Sequence, residues 1–342
     1  MTQRSATQAD LAQELGIAKE TVSRALNNHP RVSVRLRERV LQAADRLNYR
    51  PNAAALAMKN QRFQQIGVVI PDDTQRPRLR FPSYRMELLA GVNVTLEKSG
   101  YSMTLAHAGS KSGQIGAFNR LLRERAVDGV LVVGSLPDNI RDRVESLTDR
   151  TVFVETDNWA KHGCFRRNEV DAGRKAAQSA IAQGYRRIVW FKGSREEDRL
   201  LHFSESGRWE GLSKAAAKAG IPIEKFGPMS WELPAKEERE FIESLDRETA
   251  VVCYDVAFAR WFAACCLRHG GRPGIDFGLA CCDDLRELDH MWRELSRVSF
   301  DRYALGCQGA QALLDWIEGG RIPKSQKVTG RWIAGTLLPA VA

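Results

Sequence analysis

No run of apolar residues in this chain approaches the roughly 18 that a membrane-spanning helix needs, and residues 1–30 lack the apolar core and cleavage site of a signal peptide. The first absence argues against a helical membrane protein, and the two together lead to an expected cytoplasmic location. Catalytic signatures are missing as well: there is no GxGxxG after a strand-like run, no phosphate-cradling GxxxxGK, no GxSxG and no HExxH. Gly109, Gly113 and Gly116 lack the phosphate-binding spacing. The six histidines are scattered without metal-ligand spacing. Seven cysteines are an odd number, and the adjacent pairs Cys265/Cys266 and Cys281/Cys282 form neither a disulfide framework nor a CxxC site. They read as small buried thiols. The expectation is therefore a non-enzymatic protein with no cofactor and no metal, and internal repeats and low-complexity tracts are also lacking.

What the chain does have is length, and an uneven distribution of charge. Its 342 residues exceed one ordinary core and predict roughly two or three folding units. A composition of 43% hydrophobic and 27% charged residues is that of a globular chain. Of the net charge of +9, residues 1–62 carry +6, from 11 Lys and Arg against 5 Asp and Glu. A basic N-terminal module is the electrostatic footprint of nucleic-acid binding, because each neutralised phosphate releases counterions.

Within that module the stretch Ala18–Asn27 follows a short amphipathic run, Ala9–Leu15, and a glycine, Gly16, suited to a tight left-handed turn. Val22, Ala25 and Leu26 share one face of the second helix, leaving Lys19, Glu20, Ser23, Arg24 and Asn27 to face outward. Donors and acceptors so arranged suit the recognition helix of a helix-turn-helix DNA reader. A third helix is predicted over Ser33–Leu47, with Ser33 as N-cap and Leu11, Leu15, Val22, Leu26, Val40 and Leu47 as core. Pro51 ends it. The segment Asn52–Lys59 is rich in helix formers but only about two turns long, so it needs outside support.

From Gln65 onward strand-like and helix-like patterns alternate. Strands are predicted at Gln65–Pro71, Ser102–Ala106, Gly129–Val133, Thr151–Glu155, Ile188–Phe191, Val251–Tyr254 and Gly278–Cys282. Helices are predicted near Tyr84–Lys98, Gln114–Arg125, Ala172–Gln183, Ser206–Ala219, Lys236–Leu245, Val256–Arg268 and Arg302–Glu318. This alternation implies doubly wound α/β layers on parallel sheets. The paired acids Asp72/Asp73 and Asp283/Asp284 stand at strand ends, where loop hydrogen-bonding is commoner than metal binding.

Residues 7–59 resemble the headpiece and hinge of the lactose-repressor (LacI/GalR) family of bacterial transcription regulators. The resemblance rests on Asp10-Leu11-Ala12, Gly16-Ile17, Thr21-Val22-Ser23-Arg24, Asn27, Val32-Ser33 and Tyr49-Arg50-Pro51-Asn52. It implies that Lys19, Glu20 and Arg24 read bases, that Thr21, Ser23, Asn27 and Ser33 contact or position the DNA backbone, and that Asn52, Ala55 and Met58 act from a hinge helix. That helix folds in the minor groove, where Met58 replaces the usual leucine wedge. Leu36 stands where the family more often has threonine.

More loosely, QIGVVIPDD, VDGVLVVG, GYRRIVWFKG, Arg208-Trp209-Glu210-Gly211, CCDD and LGCQGAQALLDWIEGG are similar to the family's effector domain, which is like periplasmic sugar-binding proteins. The resemblance implies two α/β lobes joined near residues 165, 299 and 327, with an effector cleft between them. Candidate effector contacts are Asp72, Glu155, Ser204, Arg208, Trp231, Asp255, Asp283 and Phe300, with Trp231 stacking on a sugar face. Tyr254-Asp255, Asn168-Glu169 and Phe300 depart from the family's usual residues. The expected organisation is a headpiece at 1–50, a hinge at 51–62 and a two-lobed effector and dimerisation domain at 63–342. The expected partners are a near-palindromic operator in double-stranded DNA, a second copy in a homodimer, and a small effector, a sugar or sugar derivative. The loop after the first receptor strand carries Arg76, Arg78, Arg80 and Arg85, a guanidinium cluster that suits either a solvated basic surface or dimer contact, or an anionic effector. The alternative is a solute-binding protein of the transport type on the same two-lobed plan.

Overall fold

The computed structural model describes residues 6–49, 62–71, 83–108, 126–192, 203–227, 235–284 and 293–341. It divides into two compact units, Met1–Phe63 and Gln64–Ala342.

Among the described residues three helices form the first unit: α1 (Gln8–Leu15), α2 (Lys19–Leu26) and α3 (Val34–Arg46). Each start and stop has a local cause. The Thr7 hydroxyl accepts from the Asp10 backbone N–H while the Asp10 carboxylate accepts from that of Thr7 at 2.7 Å, a capping box. Gly16 then turns the chain at φ 64°. Ser33 caps α3, its hydroxyl accepting from Leu36 N–H at 3.3 Å, as predicted. The core is Leu11, Val22, Ala25, Val32, Val40, Ala43 and Ala44, with Leu15, Leu26 and Leu36 packed on its edge. Contact with this core accounts for an apolar residue at position 36. Leu47 does not join the core as predicted. It follows the last turn of α3 and stays 36% exposed, while the chain folds back through a bond from Tyr49 N–H to Ala44 C=O and Tyr49 packs on the core instead.

Among the described residues two six-stranded sheets carry the second unit. The first lobe contains β1 (Gln65–Pro71), α4 (Ser83–Lys98), β2 (Ser102–Ala108), β3 (Gly129–Val133), α5 (Asp138–Leu147), β4 (Thr151–Val154) and β5 (Cys164–Arg167). The chain crosses into the second lobe through α6 (Glu169–Ala182), followed by β6 (Arg187–Phe191), α7 (Phe203–Lys218), β7 (Ile223–Phe226), α8 (Ala235–Glu243), β8 (Thr249–Cys253), α9 (Val256–His269), β9 (Gly278–Cys281) and β10 (Ser296–Ser299). It returns through α10 (Arg302–Gly319), which packs on α4 and β4, adds β11 (Gln326–Val328) to the first sheet, and crosses once more to add β12 (Arg331–Ile333) to the second. The strand orders are β11-β5-β4-β3-β1-β2 and β12-β10-β9-β8-β6-β7, parallel except where β12 meets β10.

Alternate residues of each strand bury on opposite faces, as a doubly wound sheet requires. Val68 and Leu131 lie under α4 and α10, whereas Val69 and Val130 lie under α5. Cys253 and Cys281 pair in register on one face of the second sheet, and Cys282 faces the other. Six cysteines are buried and Cys307 is partly so, as read from the sequence. Burial pushes the Cys282 thiol to about 12, so it is inert as a nucleophile. The predicted helix at Gln114–Arg125 lies outside the described residues.

Glycine sets the helix spacing in each lobe. A Cβ on Gly173 of α6 would sit 1.9 Å from the Arg208 carbonyl oxygen of α7, and one on Gly306 of α10 would sit 2.1 Å from that of Leu88 on α4. Backbone blocks both positions, so the helices would have to part. Gly173→Ala is expected to cost about 1–3 kcal/mol of stability, read as a lower denaturant midpoint. An unchanged midpoint would mean that α6 and α7 do not need this approach.

Candidate DNA-reading helix and interlobe cleft

On α2 the buried side is Val22 and Ala25. Lys19, Glu20, Arg24 and Asn27 are exposed on the other side, with Thr21 and Ser23 half-buried between. No ion pair among the described residues ties up Lys19 or Arg24. The Asn27 amide donates to the Ser23 carbonyl at 2.6 Å, securing the end of the helix. Ser33 is exposed at the start of α3, where backbone N–H groups point outward. Asn52, Ala55 and Met58 lie outside the described residues, as do Asp72, Arg76, Arg78, Arg80 and Trp231. Arg85 lies on α4.

The cleft floor is built where the chain crosses between lobes. Arg167, the last residue of β5, projects its guanidinium into the second lobe, with Nε on Glu155 at 2.6 Å, Nη2 on Glu169 at 3.1 Å and Nη1 on Asp283 at 2.5 Å. Arg208, on α7, donates Nε and Nη2 to Glu169 at 2.7 and 3.1 Å, Nη2 to Asp283 at 2.8 Å and Nη1 to the Tyr254 carbonyl at 2.7 Å. Arg302, opening α10, reaches both Asp283 oxygens at 2.6 and 2.7 Å. All six side chains are buried, and three guanidinium groups balance three carboxylates.

Asp283 is the hub. Burial opposes its charged form, but Arg302, Arg167 and Arg208 outweigh burial and hold its carboxyl well below the usual carboxylate range. Burial likewise pulls against the charge on Arg167 and Arg208, and the facing carboxylates raise both guanidinium groups above their ordinary value. Glu155, the residue after β4, has φ 58°, a left-handed conformation costly for a side chain of this kind, and its carboxylate accepts from Arg167 N–H and Nε.

The remaining sequence-derived effector candidates surround this floor. The buried Ser204 hydroxyl meets the Tyr254 hydroxyl, whose pKa burial pushes to about 12. Asp255 caps α9, accepting from Ala257 and Phe258 N–H at 2.9 and 3.0 Å, and burial raises its carboxyl. Phe300 is 1% exposed and lies under the Arg167 guanidinium at 5.3 Å, so its ring face is already covered. The structure thus gathers Glu155, Ser204, Arg208, Asp255, Asp283 and Phe300 at one place. Sequence reasoning missed Arg167 and Arg302, although two consecutive arginines directly after the apolar Cys164-Phe165, Arg166-Arg167, were a visible signal. Arg166 points to the opposite side of β5, with Trp159 and the α7 residue Phe203 at 4.7 and 4.8 Å. A surface depression in the first lobe, lined in part by Phe153, Trp159 and Trp316, contains none of the floor residues.

Comparison with known families agrees with both halves of this description. A model of bacterial regulatory proteins of the lacI family matches residues 7–52, and one of periplasmic binding proteins and the sugar binding domain of the LacI family matches residues 64–260. The chain belongs to the LacI family. As a LacI-family member it is a DNA-binding transcriptional regulator with an effector-binding domain, and the transport-type alternative is set aside. It is similar to the maltose regulon regulatory protein MalI of Escherichia coli K12, 27% identical over 285 residues, covering 80% of each chain. Among solved LacI-type folds, the lac repressor dimer bound to operator and the anti-inducer ONPF aligns with TM-score 0.76 at 21% identity, covering 98% of this chain and 100% of that one. The transcriptional regulator CelR in complex with cellobiose aligns with TM-score 0.62 at 22% identity, covering 96% and 98%. No helix among the described residues is long and apolar enough to cross a membrane.

Proposed function

We propose that the protein is a homodimeric cytoplasmic repressor that reads a near-palindromic operator and responds to a small carbohydrate-type effector bound between its lobes. The observation that carries the DNA reading is α2, whose exposed Lys19, Glu20 and Arg24 stand opposite a buried Val22 and Ala25. Lys19, Glu20 and Arg24 read base edges; Thr21, Ser23, Asn27 and Ser33 fix the helix on the backbone. Residues 1–50 serve as headpiece, and 51–62, with Asn52, Ala55 and Met58, as the hinge. Residues 63–342 bind effector and dimerise, and they have no catalytic role. Two-fold symmetry favours the dimer, since one small module buries too little surface for tight specific binding.

The carbohydrate class is supported by the sugar-binding family model and by the cellobiose held by CelR. In doubly wound sheets ligands bind beyond the carboxyl ends of strands, where Ser204 and Asp255 stand here. Asp72 and Trp231 lie outside the described residues and follow β1 and β7 in sequence, which is the ground for proposing them as further contacts. A thermal-shift screen of neutral and acidic sugars on the full chain tests this reading. A sugar at 100 times its Kd is expected to stabilise the protein by about 2.7 kcal/mol. Ser204→Ala should abolish that shift; because its buried hydroxyl also meets that of Tyr254, the shift is read against the variant's own ligand-free melting temperature. If no sugar of either kind raises the melting temperature, the carbohydrate class fails; if only neutral ones do, an anionic effector fails.

A further inference from the structure

The floor of the cleft has almost no hydrogen-bonding capacity left for a ligand. Asp283 accepts three hydrogen bonds on Oδ2, from Arg167, Arg208 and Arg302, and one on Oδ1 from the same Arg302 Nη2, which occupies most of the roughly four lone-pair sites of a carboxylate. Arg208 makes four donations, to Glu169 twice, to Asp283 and to the Tyr254 carbonyl, out of about five N–H bonds. An effector hydroxyl arriving here would have to displace a buried partner and leave an unpaired charge.

The partners also come from different lobes. Arg167 closes a strand of the first sheet and Arg302 opens a helix packed on that sheet, whereas Glu169, Arg208 and Asp283 belong to the second lobe. Arg167 and Glu169 flank the first crossover and Arg302 flanks the second. At the third, Val328 C=O accepts from Asn168 N–H at 2.8 Å, and a Cβ on Gly330 would strike Val298 at 2.4 Å. Arg166 adds a contact of its own across the lobes by lying against Phe203.

We propose that Arg167 and Asp283 form a cross-lobe ionic latch: the chain supplies its own cation to the cleft floor and thereby fixes how the lobes meet without effector. Arg208 and Asp283 then act as positioning residues, and an effector is recognised by groups above the floor. The regulatory consequence rests on the operator-binding reading given above; the latch itself does not.

Hydrogen exchange of the full-length, effector-free protein tests it. Arg167→Met and Asp283→Asn each unbalance the buried charge, while the double variant keeps two guanidinium groups against two carboxylates. The double variant should therefore melt above the less stable single variant. Its crossover segments, 166–170, 298–303 and 326–331, should exchange at least about tenfold faster than wild type, with β3 and β8 unchanged, because local opening is separable from global unfolding. Wild-type exchange at the crossovers would overturn the latch. So would equal acceleration in β3 and β8, or a double variant no more stable than the worse single. Effector-free operator affinity should shift by about 5- to 150-fold, the usual range of coupling between sites. Unchanged affinity beside faster crossover exchange would overturn the coupling to DNA alone, and wild type that binds no operator would overturn the DNA reading while the exchange result still decides the latch.

Discussion

Replacing Arg208 with methionine should destabilise the second unit by about 3–5 kcal/mol, the usual cost of removing one partner from a buried ion pair. Four donations disappear together, and Glu169 and Asp283 remain buried with fewer cations than negative charges. For a unit of this size the melting temperature should fall by something on the order of 10 °C. The control is Arg186→Met: Arg186 pairs with Glu248 at 3.7 Å with 78% of its side chain exposed, and such surface pairs contribute about 0–1 kcal/mol. A calorimetric melt of Arg208→Met within a degree or two of wild type would show that the network does not behave as a buried charge cluster.

The same network fixes an acid response. The Asp283 carboxyl is held below its unfolded value of about 3.9. Its contribution is therefore fully present above about pH 4 and is lost as pH falls through the lower, folded value. In Arg208→Met one of the three cations that depress it is gone, so acid unfolding should begin at higher pH than in wild type. Loss of an effector-induced thermal shift in this variant would not identify Arg208 as a ligand contact, because its interactions are internal.

Arg24→Ala should remove discrimination at one or two positions of each half-site. A bidentate guanidinium contact to guanine contributes about 1–3 kcal/mol of discrimination, so a dimer on two half-sites would lose about 2–6 kcal/mol of specific binding. Arg24 is exposed and has no ion pair among the described residues, so its removal should leave the stability of the first unit within about 0.5 kcal/mol of wild type. The measurement is affinity across a panel of operators carrying single base changes. A loss uniform across the panel, with the salt slope reduced by about 1.8 for the two copies of Arg24, would make Arg24 a phosphate contact instead. Substitutions at Lys19 and Glu20 should change which base is preferred, since both stand on the exposed side of the first turn of α2.

The parts of this molecule legible in the sequence are those whose causes are local. Gly16 and the Ser33 cap were readable because a turn and a cap are satisfied within four residues. The parallel sheets were readable because strands buried on both faces, such as Gly129–Val133 and residues 250–253, must be almost wholly apolar. Strands β5, β7, β10, β11 and β12 were not predicted, and neither was α5. The sequences CFRR, IEKF, SRVS, QKV and RWI are short and carry charged or polar residues, and what makes them strands is a neighbouring backbone supplied from elsewhere in the chain. Tyr49 took the place expected of Leu47 because the end of α3, not hydrophobic periodicity, decided which side chain met the core. For the cleft, the sequence supplied Arg208 and Asp283 as residues but not their partners. Only the tertiary structure brings Arg167 to Asp283, 116 positions away, and Arg302 to the same carboxylate. A buried charge must find its counter-charge wherever the fold places one, so no local pattern along the chain records the pairing.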